Sequence, residues 1–114
     1  MQHYETIHTE SREGFDIVFS VTHEDAHPRD LFEDFDLPDV LDGIESGRFE
    51  WFIARVQAFK CGVELASDYL GGCLYDSAQK FVDSNDYYAD MVQNVIIDAR
   101  KKINLLTEKE SEAA

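Results

Sequence analysis

The hydrophobic pattern of this chain changes period along the sequence, and that change constrains the fold most. In GFDIVFSVT (14–22), apolar side chains alternate with the others, which is typical of a strand with one buried face. In the C-terminal third, apolar residues recur at intervals of three and four, which is typical of a helix. The sequence therefore predicts an α+β fold of about four mainly antiparallel strands with a long C-terminal helix packed on one face.

The N-terminal residues are predicted to pair with this alternating strand. HYETIHT (3–9) is a plausible partner strand, and ESREG (10–14) between the two supplies residues that are typical of turns. The pattern therefore predicts a β-hairpin over residues 2–22.

The middle of the chain predicts two more strands. FEWFIARVQAFKCGVELA (49–66) is rich in aromatic and β-branched residues and has apolar side chains on both faces, which is typical of a central strand. A return strand is predicted to begin near Val63 and to be broken within SDYLGG. Gly71 and Gly72 in this stretch predict a bulge, a tight turn or a close backbone approach.

The C-terminal helices have recognisable start signals. Asp76 and Gln79 have the spacing of a capping box, which predicts a short helix over SAQKFVDS. Asn85 or Asp86 is predicted to cap the long helix that follows.

The long helix is predicted to run for about five turns with one buried stripe. That stripe contains Tyr88, Met91, Val92, Val95, Ile96, Ala99, Ile103 and Leu106. We predict that residues 1–107 form a single domain and that residues 108–114 form a flexible polar tail.

An acidic segment, defined here as residues 30–45, lies between the second and third predicted strands. It contains seven acidic residues and no basic one, and residues 24–50 together contain ten acids against two arginines, a net charge of −8. Short helices are predicted at Arg29–Phe32 and from Pro38. The segment also has an apolar side, so we expect it to fold back on the body and to display its carboxylates outward. That side contains Leu31, Phe32, Phe35, Leu37, Val40, Leu41 and Ile44.

The overall charge limits the classes of molecule that the chain is expected to bind. A formal net charge of −14 disfavours direct binding to nucleic acid or anionic membranes and favours a basic protein partner. No apolar run approaches the length of a membrane span, and MQHYETIHTE lacks the features of a signal peptide, so we expect a cytoplasmic protein. In that reducing compartment Cys61 and Cys73 are predicted to be free thiols, with a disulfide across a hairpin as the alternative.

The sequence offers no convincing catalytic or metal site. A calcium loop starting at Asp34 would place Pro38 and Asp39 where a ligand and a glycine are required. His23 and His27 are four residues apart, but Pro28 disfavours the helix that a zinc motif needs. All four histidines, His3, His8, His23 and His27, are therefore predicted to be exposed. We therefore predict no metal, no cofactor and no enzyme activity.

The region from residue 51 to residue 91 resembles a known group of proteins. WFIARVQAF, SDYLGGCLYDS and DYYADM are similar to stretches of small, mostly uncharacterised proteins encoded by bacterial phages, prophages and plasmids. The resemblance covers roughly the last 60 residues. It implies an accessory protein of a mobile element, a class that often counters host defence and includes small acidic inhibitors of restriction and CRISPR systems.

Two functions fit these observations. The first is a binding inhibitor whose acidic surface imitates nucleic-acid charge and occupies the basic groove of a host defence protein. The second is a non-catalytic accessory or assembly protein whose acidity serves only solubility. For the first, the partner-binding residues are predicted to be Asp30, Glu33, Asp34, Asp36, Asp39, Asp42 and Tyr87.

Overall fold

The computed structural model describes residues 3–113, and the side chains of residues 3–107. Its four strands are β1 (Glu5–Arg12), β2 (Phe15–His23), β3 (Glu50–Lys60) and β4 (Val63–Tyr75). They form one antiparallel sheet in the order β1-β2-β3-β4. In the described residues three α-helices accompany the sheet: α1 (Leu37–Glu45), α2 (Ala78–Ser84) and α3 (Tyr87–Ala113). The short helix predicted at Arg29–Phe32 is a 3-10 turn at Pro28–Asp30. The predicted α+β class, the antiparallel sheet and the long C-terminal helix are confirmed.

Two short turns connect the outer strand pairs. Glu13 and Gly14 join β1 to β2, and Cys61 and Gly62 join β3 to β4, all with positive φ. Such turns match the twist of the flanking strands. The N-terminal hairpin is thus confirmed, although its turn is shorter than the predicted stretch 10–14. Residue 2, where we placed the start of the hairpin, lies outside the described residues.

The prediction of a break in β4 is wrong, because the strand runs through Gly71 and Gly72 with a bulge. Phe52 pairs with Cys73 and Ala54 pairs with Leu70, so both glycines lie opposite a single residue of β3. Gly72 has a φ of 65°, and a Cβ on it would overlap Leu31 Cδ1. The alternatives of a bulge and a close approach are therefore both confirmed at Gly72.

The main core lies between one face of the sheet and α3. Phe19 of β2 stacks on Phe81 of α2 with ring centroids 5.2 Å apart and meets Tyr88 of α3 edge-on at 5.7 Å. The predicted stripe of α3 is buried from Tyr88 to Ala99. This stripe explains why the helix lies along the sheet.

The last residue of that stripe was predicted wrongly. Leu106 is 55% exposed, although Ile103 is still half-buried. Arg100 pairs with Glu13 in the β1–β2 turn, which marks the end of the sheet. Leu106 is exposed because α3 extends beyond the surface on which it packs.

The helix ends differ from their predicted positions by small amounts. Ser77 caps α2, since its Oγ accepts a hydrogen bond from the Lys80 N–H, so the proposed pairing of Asp76 with Gln79 is wrong by one residue. Asn85 ends α2 in a left-handed conformation with φ of 55°. The backbone of α3 continues to Ala113, longer than five turns, and Ala114 lies outside the described residues. The flexibility predicted for residues 108–114 stays a prediction.

Candidate protein-interaction surface

The acidic segment packs on the face of the sheet opposite to α3. Phe52 of β3 contacts Phe81 of α2 on the core side, with ring centroids 6.1 Å apart. Its neighbour Trp51 points to the other face, because successive strand residues alternate. The ring of Phe32, at the start of the segment, lies 6.0 Å from that of Trp51. The predicted folding of this segment back onto the body is thereby confirmed.

Three hydrogen bonds fix the chain where it enters the segment. Trp51 Nε1–H donates a hydrogen bond of 2.9 Å to the carbonyl oxygen of Ala26. The carboxylate of Glu24 accepts from Ala26 N at 3.0 Å and from Gly72 N at 2.9 Å. The bond between Glu24 and Gly72 N joins the loop after β2 to the bulge in β4, so the bulge helps to hold the segment in place.

A separate set of contacts fixes α1. The Phe49 ring lies directly against Gly43, and the Phe49 N–H donates to the Gly43 carbonyl oxygen at 3.0 Å. Arg48 Nη2 lies 3.3 Å from Asp39 Oδ1 and 3.9 Å from Asp42 Oδ2, and its guanidinium covers the Phe49 ring. Arg48 therefore offsets part of the negative charge on α1.

The six predicted carboxylates of the segment are all exposed. Among the residues that the structure describes, Asp39 and Asp42 lie near a cation, Arg48. The other four carboxylates have no ion-pair partner among those residues. The full set is Asp30, Glu33, Asp34, Asp36, Asp39 and Asp42.

Part of the predicted apolar side is wrong. Val40 is buried and Phe32 is half-buried, but Leu31 and Leu41 are exposed and Phe35 is 92% exposed. Phe35 lies in the turn before α1, so it does not share the inward-facing side of that helix. It is the most exposed large apolar side chain that the structure describes. The sequence did not reveal this exposed ring, because Phe35 lies at a helical interval from the other residues of the predicted apolar side.

A cleft along the edge of β4 joins this segment to the start of α3. Its volume is about 320 Å³, and it is lined by Phe32, Tyr75 and Tyr87 and also by Gly71 and Gly72. Tyr87, which was predicted to bind the partner, is 56% exposed. Burial raises the pKa of Tyr75, and the nearby Cys73, Tyr87 and Asp86 add to this effect. The last predicted site residue, Tyr87, thus lies in a cleft that Phe32 of the acidic segment also lines.

The two cysteines are free thiols in different surroundings. Cys61 is exposed in the β3–β4 turn and Cys73 is buried in β4. Burial raises the pKa of Cys73 to about 11, so its thiol keeps its proton near neutral pH. A nucleophilic cysteine requires the opposite shift.

A cluster on the core side of β1 was not predicted. Tyr88 O–H donates to Glu10 Oε2 at 2.7 Å, His8 Nε2 lies 3.1 Å from the same oxygen, and Arg12 Nη2 lies 2.6 Å from Oε1. Burial by itself raises the pKa of Glu10, but the hydrogen bonds from Tyr88 and His8 and the charge of Arg12 outweigh it, so the net shift is downward. The cluster joins α3 to an edge strand. Nothing in the spacing of Glu10 and Tyr88 along the sequence indicates their contact.

The remaining candidates do not form a site. No group of three or more potential metal ligands occurs in the described part of the chain. His23 and His27 are exposed, as predicted, and His27 Nδ1 accepts a hydrogen bond from Arg29 N–H. His8 is only half-buried, and therefore departs from the prediction of exposed histidines. Within residues 3–113, no helix is both long and apolar enough to cross a membrane.

Comparisons with protein-family models, with curated proteins and with solved structures find no match to this chain.

Proposed function

We propose that this chain is a small acidic accessory protein of a mobile element that acts in the bacterial cytoplasm by binding, without catalysis. Its partner is a basic, nucleic-acid-binding host defence protein of the restriction or CRISPR type, whose nucleic-acid groove it occupies. The observation that carries this proposal is the set of six exposed carboxylates between Asp30 and Asp42 on an anchored segment. The resemblance of the C-terminal region to phage and plasmid proteins supports the biological setting.

The spacing of the carboxylates supports charge mimicry. Asp36, Asp39 and Asp42 follow one another at three-residue intervals at the start of α1 and along it. Three helical residues correspond to a rise of about 4.5 Å. Successive phosphates of one DNA strand are separated by about 3.4 Å along the axis, so the two spacings are similar.

The order of the segment also supports binding. The contacts of Trp51, Glu24 and Phe49 hold its backbone in place before a partner arrives. A fixed array of charges loses less conformational entropy on binding than a mobile tail does. Phe35 and Tyr87 add exposed aromatic surface beside the carboxylates, and aromatic residues are enriched in protein interfaces.

A second candidate function has an observation of its own. Exposed acidic residues also lie far from the segment in the chain, at Glu5, Asp83, Asp90 and Asp98 among others. This wide distribution is what a protein whose acidity serves only solubility would have. In that case the chain is an accessory or assembly protein, and its partner contacts the sheet edge or the tyrosines.

The two candidate functions differ in whether the chain competes with DNA for its partner. The tagged chain is used to capture a partner from bacterial lysate, and duplex DNA is then added to the purified complex. The mimicry proposal predicts a basic partner from which DNA and the chain displace each other. A partner without a basic surface, or one that holds DNA and the chain together, contradicts the proposal and favours the second candidate.

A matched pair of variants makes this test specific for the segment. In the segment variant, Asp30→Asn, Glu33→Gln and Asp34→Asn remove three exposed charges that have no ion-pair partner among the described residues. In the control variant, Glu5→Gln, Asp90→Asn and Asp98→Asn remove three exposed charges elsewhere. Both variants have the same net charge, so only a position-dependent effect separates them. Mimicry by the segment predicts that DNA displaces the segment variant more easily than the control variant.

A further inference from the structure

We infer that the cleft at the edge of β4 receives an arginine side chain of the partner. The inference rests on the proposed function in one respect, namely that the partner is basic. It assigns a second part of the binding surface, distinct from the carboxylates of the acidic segment, and states which side chain fits it.

Three aromatic rings contribute to the walls of the cleft. Phe32 belongs to the acidic segment, Tyr75 ends β4 and Tyr87 begins α3, so three separate elements contribute one ring each. Gly71 and Gly72 also line the cleft and contribute backbone without a side chain. Its volume of about 320 Å³ is near the lower limit of small-molecule sites, roughly 300–1,000 Å³, and is suited to a single long side chain.

The charges around the cleft favour a cation. None of the lining residues is charged, and the neighbouring groove, which shares Phe32 and Leu74 with the cleft, is lined by Asp36 and Asp39. Asp86 is close enough to Tyr75 to affect its titration. The thiol of Cys73, also in the lining, stays neutral near pH 7. A cation is attracted by the faces of the rings and by Asp36 and Asp39 in the neighbouring groove, whereas the lining of the cleft offers an anion no positive charge.

Arginine suits this cleft better than lysine does. Its guanidinium is planar and stacks on aromatic rings, and it is more weakly hydrated than an ammonium group, so it loses less on entering a partly apolar space. Its fork of N–H donors also suits carboxylates such as Asp36 in the neighbouring groove.

The cleft is continuous with the acidic segment. A neighbouring groove shares Phe32 and Leu74 with it and is also lined by Phe35, Asp36 and Asp39. A basic surface that meets the carboxylates of α1 is therefore directly beside the aromatic cleft. Such an arrangement, with an aromatic pocket next to a charged surface, is typical of the energetic centre of a protein interface.

The test uses a small probe and does not require the partner. N-acetyl-arginine methylamide is titrated into the isotope-labelled chain while backbone amide shifts are recorded. The largest shifts are expected at Gly71, Gly72 and Tyr87, with saturation in the millimolar range. N-acetyl-norleucine methylamide, which is apolar and of similar length, should shift the same amides less than one-fifth as much.

Two tyrosine variants provide the matched control. Tyr87→Leu removes an exposed ring of the cleft, whereas Tyr69→Leu removes an equally exposed ring of β4 outside it, at 54% exposure. We expect Tyr87→Leu to weaken arginine binding at least fivefold and Tyr69→Leu to change it less than twofold. Equal effects of the two variants, a titration that does not saturate, or an equal response to norleucine overturns the inference.

The segment variant separates this inference from the proposed function. It leaves every residue of the cleft in place, so it should bind N-acetyl-arginine methylamide within twofold of the wild type. If the largest arginine shifts instead lie between Asp30 and Asp42 and disappear in the segment variant, the cleft assignment fails while charge mimicry survives. If the cleft binds arginine but DNA fails to compete for the captured partner, the proposed function fails while the cleft assignment survives.

Discussion

The body of the molecule and its acidic segment are ordered by different means. In the body, side chains of β2, β3, α2 and α3 form a contiguous core in which Phe19 and Phe81 are fully buried. In the acidic segment, Val40 and Gly43 are buried, and order comes from a few contacts with Trp51, Phe49 and Arg48. The comparison shows that a segment needs little core of its own to present charges in fixed places, provided that a stable body anchors it.

This difference has a consequence for local stability. Regions with few buried apolar contacts open at a lower free-energy cost than the core does. The acidic segment should therefore exchange its backbone amides faster than β2 and β3 exchange theirs. Substitutions in the acidic segment should likewise lower the free energy of unfolding by less than substitutions in the core do.

The largest expected effect compares two phenylalanines. Phe19→Ala leaves a cavity between β2, Phe81 and Tyr88 and should lower the free energy of unfolding by about 3–5 kcal/mol. Phe35→Ala removes a ring that is 92% exposed and should change it by less than about 0.5 kcal/mol. Urea unfolding measures both values. Similar losses for the two variants would contradict the division between body and segment.

An intermediate effect is expected at the buried end of α3. Glu10→Gln removes the negative charge of the carboxylate that accepts hydrogen bonds from Tyr88 and His8. It should lower the free energy of unfolding by about 2 kcal/mol at neutral pH. The folded-state pKa of Glu10 is depressed below its ordinary value of 4.5, so its contribution is present above that pH and is lost as the pH falls through the folded-state value.

The pH dependence is the specific readout for Glu10. The stability difference between wild type and Glu10→Gln should shrink as the pH falls below about 4.5. Glu5→Gln, an exposed residue of the same strand, serves as the control and should change stability little at any pH. A difference for Glu10→Gln that is constant from pH 7 to pH 3 would show that the depressed pKa is not the cause.

A smaller effect is expected where the segment touches the bulge. Gly72→Ala places a Cβ at a φ of 65° and against Leu31 Cδ1, and should lower the free energy of unfolding by about 1 kcal/mol. In a Leu31→Ala background the overlap is absent, so the same substitution should cost less and only the backbone strain should remain. If Gly72→Ala and Gly71→Ala both unfold like the wild type, the bulge is not a structural requirement.

Much of the fold was predictable because hydrophobic period reports directly on secondary structure. The alternation around Phe19 and the stripe from Tyr88 to Ala99 predicted the sheet, the long helix and the face between them. The failures have local causes. Leu106 fits the helical period, but the period does not reveal where the sheet beneath the helix ends. The glycine pair is as typical of a bulge in a strand as it is of a break in one.

The candidate surface was predictable only in part. Charge density along the chain identified the carboxylates, all six of which are exposed. The exposure of Phe35 and the cleft shared by Phe32 and Tyr87 depend on how distant elements meet. The contact of Glu10 with Tyr88 does so as well. Contacts between elements that are distant in the chain are determined by tertiary packing, which leaves no periodic signal in a single sequence.

The central claim, that the acidic segment is a binding face for a basic partner, is tested most directly by association rates. The captured partner is mixed with the wild type, the segment variant and the control variant at about 0.05 M and about 0.5 M salt, because exposed charges are screened over about 10 Å at 0.1 M and over less at higher salt. The account predicts that the segment variant associates about tenfold more slowly than the control variant at low salt, that its dissociation changes less, and that the difference nearly vanishes at high salt. Equal association rates for the two variants at low salt would contradict it, because the position of the charges would then have no effect.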